Sequence, residues 1–569
     1  MENLPVYSIL IVLPLLLALI IPMLPDRDRL VHTVAVAGSA VLWVLSAFFW
    51  YTSLTTPFPN QTIPWFPSLG INYVVGADGL SWVLVLLTTF LVFLAVLASL
   101  TSINKRLRFY YSMLFVLAAA ILGVFMARDL FVFFLFYELE LIPMYFLIAV
   151  WGGPRRQYAA IKFVLYTLFG SIFLLAATLG LYFHAAQLLG ASTASFEFGS
   201  LSAAASADMA MGLQILMFLG FFIAFCVKLP MVPFHTWLPD AHVEAPTPIS
   251  MLLAGVLLKM GAYGLCRFCF GWFPDAALAM APYVVLFGVI NIIYTAGVAM
   301  VQSDLKKLIA YSSVSHMGFV LVGLGALNVV GFSGAVFQMI SHGIISAGLF
   351  MMVGTLYTRT HTRLIAELGG FAKQTPTLYF FGLLICLSSL GLPLLAGFPA
   401  ETLVFYGAFI SNAFSSINLF GTTLDWSIQT LTVVAGIGVV LGAAYLLWMV
   451  QRVFTGPVLP KWSRLPDATL SEVVVFCFLA VAIVGIGFFP SLVSEQYDLD
   501  VSLMANRYAK PLAEKALPEK AAPSDQEAAP KKAAVLPIKP ATEGRRVSMA
   551  SATVTHPLLR RRSSQGEPH

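Results

Sequence analysis

Apolar runs of about 20 residues, the length a helix needs to cross a bilayer, recur fourteen times along this chain. They lie near residues 5–24, 31–52, 77–100, 108–127, 129–150, 159–186, 211–228, 248–270, 276–300, 305–327, 330–357, 376–399, 428–450 and 472–490. In hydrocarbon a run of this length satisfies its own backbone as a helix. The expected fold is therefore an all-α polytopic membrane protein with about 14 transmembrane helices. Composition agrees: 59% of residues are hydrophobic and 10% charged, whereas soluble domains carry about 25% charged residues. A soluble enzyme and a nucleic-acid binder are both excluded on these grounds. No cleavable leader pattern opens the chain, so the first run is expected to be retained.

Basic residues orient the spans. "DRDR", "NKRLR", "GGPRRQY", "SDLKK", "TRTHTR" and "QRVF…KWSR" all follow odd-numbered spans, while the long connections 53–76 and 187–209 contain no Lys or Arg. Arg128 and Arg267 are isolated exceptions. By the positive-inside rule the odd-numbered loops face the cytoplasm or stroma. Residues 501–569 are a different material, with 12 Lys and Arg against 6 Asp and Glu, and this tail accounts for the net charge of +5. Rich in Ala, Pro, Lys and Ser, it reads as a disordered tail.

Two spans break the rules of a membrane helix. "AFCVKLPMVPFHTWLPDAHVEAPTPIS" carries Pro230 and Pro233 beside Lys228, and "SSLGLPLLAGFPAETLVF" carries Pro393 and Pro399 ahead of Glu401. Proline lacks the amide hydrogen that the helix requires. The seventh and twelfth spans should therefore be broken, and irregular backbone at that depth survives only against protein or a wet cavity. Corresponding spans lie about 165–168 residues apart, which fits two inverted five-helix repeats of the kind built around discontinuous helices. The expected divisions are 1–107 (three N-terminal helices), 108–275 and 276–455 (the two five-helix units), 456–500 (a last helix) and 501–569 (the tail).

Ionisable groups at membrane depth cost about 2.5–3.5 kcal/mol each at a helix centre, so they usually mark an ion path. This chain places Glu138 in the fifth span, Lys228 in the seventh, Lys259 in the eighth, His316 in the tenth, His342 in the eleventh and Glu401 in the twelfth. Glu140 is two residues from Glu138, about 200° round a continuous helix. Only one of the two can face a common channel; Glu138 is assigned to it and Glu140 to a supporting role. His342, and His235 beside the first break, are secondary candidates like Glu140. A metal site is not expected, because His235, Asp240 and His242 lack zinc-ligand spacing. Cys266 and Cys269 form a lone CxxC with no second pair. With no Walker loop, dinucleotide fingerprint or iron–sulfur motif, no redox centre is expected on this chain.

"KLPMVPFHTWLPDAHVEAPTPISMLLAGVLLKMGAYGLCRF", with "YELELIPMYFLIAVWGG" and "LKKLIAYSSVSHMGFVLVG", closely resembles the antiporter-like subunit M (chain 4) family of type I NADH dehydrogenase, respiratory complex I. The resemblance covers nearly all of residues 1–495 and implies fourteen helices, two inverted units and a proton channel. It implies that Glu138 is the essential glutamate, Lys228 the broken-helix lysine, Lys259 the central lysine and Glu401 the exit-side group, with protons passing by way of His316. Glu401, where sister subunits L and N and related cation antiporters are expected to carry lysine, favours the M type. The pattern "GFPAE" departs from the family's usual "GFxGE". The doubled acids of "ELELIP" look most like the cyanobacterial and plastid form of the family, which works with plastoquinone and reduced ferredoxin.

The resemblance further implies quinone, iron–sulfur clusters and flavin in partner subunits, with sister antiporter-like subunits and membrane lipids as neighbours. It places the chain in a bacterial inner membrane or a cyanobacterial thylakoid membrane. The alternative reading is a subunit of a multisubunit sodium/proton antiporter.

Overall fold

The structure, a computed structural model, describes residues 4–190, 194–206 and 209–516. Thirteen helices among these are long and apolar enough to cross a membrane, so the chain is a multi-pass membrane protein. The twelfth expected span is missing from that number for a physical reason. Its prolines and glycines divide it into Pro376–Ser389 and Gly397–Phe409, neither long enough alone. Two small antiparallel hairpins, Gln61–Phe66 with Ile71–Val75 and Ile417–Leu419 with Thr422–Leu424, are the exceptions to an otherwise helical fold among the described residues.

The seventh span also breaks as expected. Met211–Lys228 ends, residues 229–236 are irregular, and a short helix, Trp237–Glu244, follows. The freed backbone is satisfied by protein. Met231 N donates to Cys226 O at 2.9 Å, Trp237 Nε1 to Val227 O at 2.9 Å, and Val232 N to the Asn291 side chain at 2.8 Å.

The eighth and eleventh spans, Thr247–Phe270 and Val329–Thr360, form the centre: their membrane windows are wholly buried, against 28% for Asp28–Ser53 and for Leu470–Phe488. They touch through glycines. A Cβ on Gly343 would stand 2.8 Å from Gly255 O, closer than real Cβ atoms approach, so a side chain there would force the two backbones apart. The eighth span also contains two wide π-helical turns, Leu253–Leu257 and Leu265–Phe270, on either side of Lys259. Such turns recur at functional sites.

The expected start of the tail is corrected. Ser491–Ala516 is a single helix, and Tyr497, Val501 and Tyr508 on it are fully buried. Tyr508 Oη donates to Phe270 O at 2.5 Å, and Asp500 accepts from Leu80 N at 2.9 Å. A polar composition hides this stripe at spacings of four and seven residues, which is why the sequence reads as a tail from Val501. The chain divides at Leu517, and Pro518–His569 lies outside the described residues. Truncation after Leu499 would expose surface that Val501 and Tyr508 cover, at about 1.5–3 kcal/mol for each large side chain. It is expected to lower the thermal unfolding temperature of the detergent-solubilised complex by several degrees. Truncation after Leu517 is expected to leave it unchanged, and equal unfolding temperatures for the two would contradict this assignment.

Candidate functional site

Lys228 ends the Met211–Lys228 helix because Pro230 stops it, which leaves the ammonium beside the break. It forms an ion pair with Glu140, both side chains essentially without solvent exposure. The rings of Tyr137 and Phe163 lie 4.8 and 5.8 Å from its Nζ. Glu138 is half-buried, accepts a hydrogen bond from Ser171 Oγ, and remains within electrostatic reach of Lys228. Glu140, expected only in support, is thus the lysine's contact partner, while Glu138 acts on Lys228 through its charge, as the sequence suggested, without touching it. The fifth span loses one helical hydrogen bond here, because Pro143 cannot donate to Leu139 O, but Glu140 keeps right-handed helical dihedrals (φ −65°, ψ −22°). The two carboxylates therefore stay on different faces, and it is the Glu140 face that meets Lys228.

Lys259 sits at the centre with no exposed surface. Its Nζ donates to Ala254 O, in the preceding π-helical turn, at 2.5 Å and lies 2.7 Å from His342 Nδ1. With Lys259 as the ammonium, that ring nitrogen accepts, which puts the imidazole proton on Nε2. The His342 and His316 rings are 5.5 Å apart. His316 Nδ1 is 3.6 Å from Glu401 Oε1 and 3.2 Å from Gln338 Nε2, while its Nε2 is 3.2 Å from Ser389 Oγ. Lys259, His342, His316 and Glu401 thus stand as neighbours in a row, hydrogen-bonded at its first step, while His342 Nε2 has no hydrogen-bond partner among the described residues. The twelfth-span break shapes the far end: Gly391, at φ +69°, leaves room for the Glu401 carboxylate, which a Cβ would meet at 2.8 Å.

His342 is a direct link in this row, a larger part than its secondary place in the sequence suggested. His235 stands outside the row, its ring edge-on to Tyr294 and Tyr311. His242, considered in the sequence only as a metal ligand, stacks on Phe350 at 4.3 Å. Neither of its buried ring nitrogens has a hydrogen-bond partner among the described residues. It interacts electrostatically with Lys306 and Lys259. Its position on the broken helix was the available signal. No cluster of metal-ligating side chains occurs among the described residues.

The far end of Trp237–Glu244 is held from both sides. Lys306 Nζ donates to Ala245 O at 2.7 Å and Arg363 to Val243 O, satisfying carbonyls that a helix end leaves unpaired. On the other side Glu244 accepts from Arg155 N at 2.9 Å. Lys306 follows the ninth span and Arg155 the fifth, so the segment between Lys228 and Lys259 is clamped by both halves of the chain. Lys306→Met would leave Ala245 O with only the long 3.5 Å contact from Ser250 Oγ, at a cost of about 1–3 kcal/mol. It is expected to lower protons moved per electron while quinone reduction continues. An unchanged ratio at equal assembly would show that the clamp is dispensable.

Comparisons with known proteins fit this arrangement. The family profile described as "NADH:quinone oxidoreductase/Mrp antiporter, TM" matches residues 127–424, and "NADH-ubiquinone oxidoreductase chain 4, amino terminus" matches residues 9–127. "NAD(P)H-quinone oxidoreductase chain 4 2" of Synechococcus elongatus is 43% identical over 514 residues, covering 88% of this chain and 92% of the relative. "NAD(P)H-quinone oxidoreductase chain 4-1" of Synechocystis is 42% identical over 506 residues, covering 88% and 93%.

Among solved structures, a chain of the respiratory complex I of Thermus thermophilus with bound NADH superposes with a TM-score of 0.77 at 28% identity, covering 88% of this chain and 99% of that one. A chain of the Mrp complex from Dietzia shares the fold, with a TM-score of 0.75 at 23% identity, covering 88% and 52%. The chain therefore belongs to the NADH:quinone oxidoreductase/Mrp antiporter transmembrane family, as a chain 4 member, an antiporter-like membrane subunit of complex I.

Proposed function

We propose that this subunit carries protons across the membrane through the ordered set Glu140/Glu138–Lys228, Lys259, His342, His316 and Glu401. The observation that carries the reading is the row from Lys259 to Glu401, in which titratable side chains neighbour one another: 2.7 Å from Lys259 to His342, 5.5 Å between the two imidazole rings and 3.6 Å from His316 to Glu401. Lys228 with its two carboxylates is the loading site; a conformational change in neighbouring subunits opens the Glu140–Lys228 pair and sends the proton on to Lys259. The magnitudes suffice. Moving one charge against 100 mV costs about 2.3 kcal/mol, and a change of two pKa units supplies about 2.7 kcal/mol.

The two broken helices, at Lys228 and at Glu401, are the discontinuous elements of two inverted five-helix units, residues 108–275 and 276–455, on this reading. Quinone, iron–sulfur clusters and flavin belong to partner subunits, with NADH or reduced ferredoxin as donor, and sister antiporter-like subunits lie alongside.

Glu401 ends the row, so its replacement is the test of direction. Glu401→Gln keeps the shape but cannot release a proton; it is expected to block proton release while the complex assembles normally. Glu401→Lys is expected to be partly tolerated, since an amine can accept and release the same proton. Release is read with a pH-sensitive dye in vesicles during steady electron transfer. Normal release by the Gln variant would remove Glu401 from the path.

A further inference from the structure

The face carrying the loops after even-numbered spans is poor in cations, yet three arginines converge on it. Arg128 follows the fourth span, Arg267 lies in the last π-helical turn of the eighth, and Arg507 is on the Ser491–Ala516 helix. Together they line one cavity of about 280 Å³. Arg128 and Arg267 both pair with Asp78, the former at 3.1 Å, which accounts for the two exceptions to the charge rule. Arg507 donates to Gly271 O and has no carboxylate partner among the described residues. Three guanidiniums thus meet two carboxylates, Asp78 and Asp500. Burial and the neighbouring Asp78 push the Asp500 carboxyl upward.

The rest of its wall is apolar, including Phe198, Trp272 and Met504. Asp500 is shared with an adjoining cavity of about 320 Å³ walled by Trp50, Phe58 and Trp82. That one shares Trp50 and Gln496 with an apolar slot reaching down to Phe90 and Ile344. The three run in order along one stripe of the terminal helix, from Val493 through Gln496 and Asp500 to Arg507. Charge at one end and dry aromatic wall beyond it match an amphiphile rather than a free ion.

We propose that this cavity holds the phosphate or sulfonate head of an anionic membrane lipid. Arg507, held through one nitrogen to Gly271 O, presents the planar fork that suits such oxygens. Arg267 adds charge beside it while bonded to Asp78 and Tyr263, and the apolar wall takes the glycerol body and acyl chains. The lipid would join the terminal helix to the ends of the third and eighth spans.

The test uses the intact complex, wild type and Arg507→Glu, with a photoactivatable phosphatidylglycerol as probe. Labelling is expected on peptides containing Trp272 or Met504, to be competed by phosphatidylglycerol but not phosphatidylcholine, and to fall at least threefold in Arg507→Glu. Arg507→Lys should retain most of it. After delipidation, phosphatidylglycerol should restore the wild-type unfolding temperature, whereas inorganic phosphate at the same concentration should not. Equal labelling of wild type and Arg507→Glu, or competition by phosphatidylcholine, would overturn the proposal. Restoration by inorganic phosphate alone would show a small-anion site and overturn the lipid assignment. The wild-type arms decide the matter even if Arg507→Glu assembles poorly.

Discussion

Glu140→Gln is expected to abolish most proton translocation and to destabilise the chain by about 3–5 kcal/mol, because it leaves a buried ammonium without its partner. Glu138→Gln is also expected to lose translocation, since Glu138 shares the field at Lys228. It should cost little stability, because it is half-buried and the Gln oxygen can still accept from Ser171. The double variant Glu140→Gln/Lys228→Met sharpens the distinction. Removing both members of a buried ion pair is often neutral or stabilising, so stability should return while translocation does not. Unfolding temperature and blue-native assembly give the first quantity, and vesicle acidification the second. If Glu138→Gln proves the more destabilising, and Lys228→Met rescues it instead, Glu138 is the true partner of the lysine.

The sequence shows the spans, both breaks and the buried charges because each follows from local chemistry: an apolar run, a proline, an ion where no ion belongs. Lys228, Lys259, His316 and Glu401 were legible for that reason. The order of contact was not. His342 joins Lys259 because the eighth and eleventh spans meet at Gly255 and Gly343, a tertiary fact with no local signal. Which of the two acids touches Lys228 was not legible either, because helix periodicity sets them on different faces without saying which face meets the seventh span. The terminal helix past Val501 escaped because its buried stripe of Tyr497, Val501 and Tyr508 is diluted by charged neighbours. Arg128 and Arg267 looked like exceptions to a charge rule until Asp78 brought them together.

Lys259 is the one residue through which the proposed loading site and exit row connect. Lys259→Met keeps the length and burial of the side chain but can neither carry a proton nor donate to His342 Nδ1, now 2.7 Å away. Loss of a positioned proton-transfer group costs about 10²–10⁴-fold in the step it serves, far more than a packing change would. The decisive measurement is protons released per electron by the reconstituted complex carrying Lys259→Met, at wild-type assembly and with quinone reduction monitored in the same vesicles. The ratio is expected to drop by this subunit's entire share, with the remainder supplied by the sister subunits. A ratio equal to wild type would contradict passage through Lys259, and with it the row from His342 to Glu401.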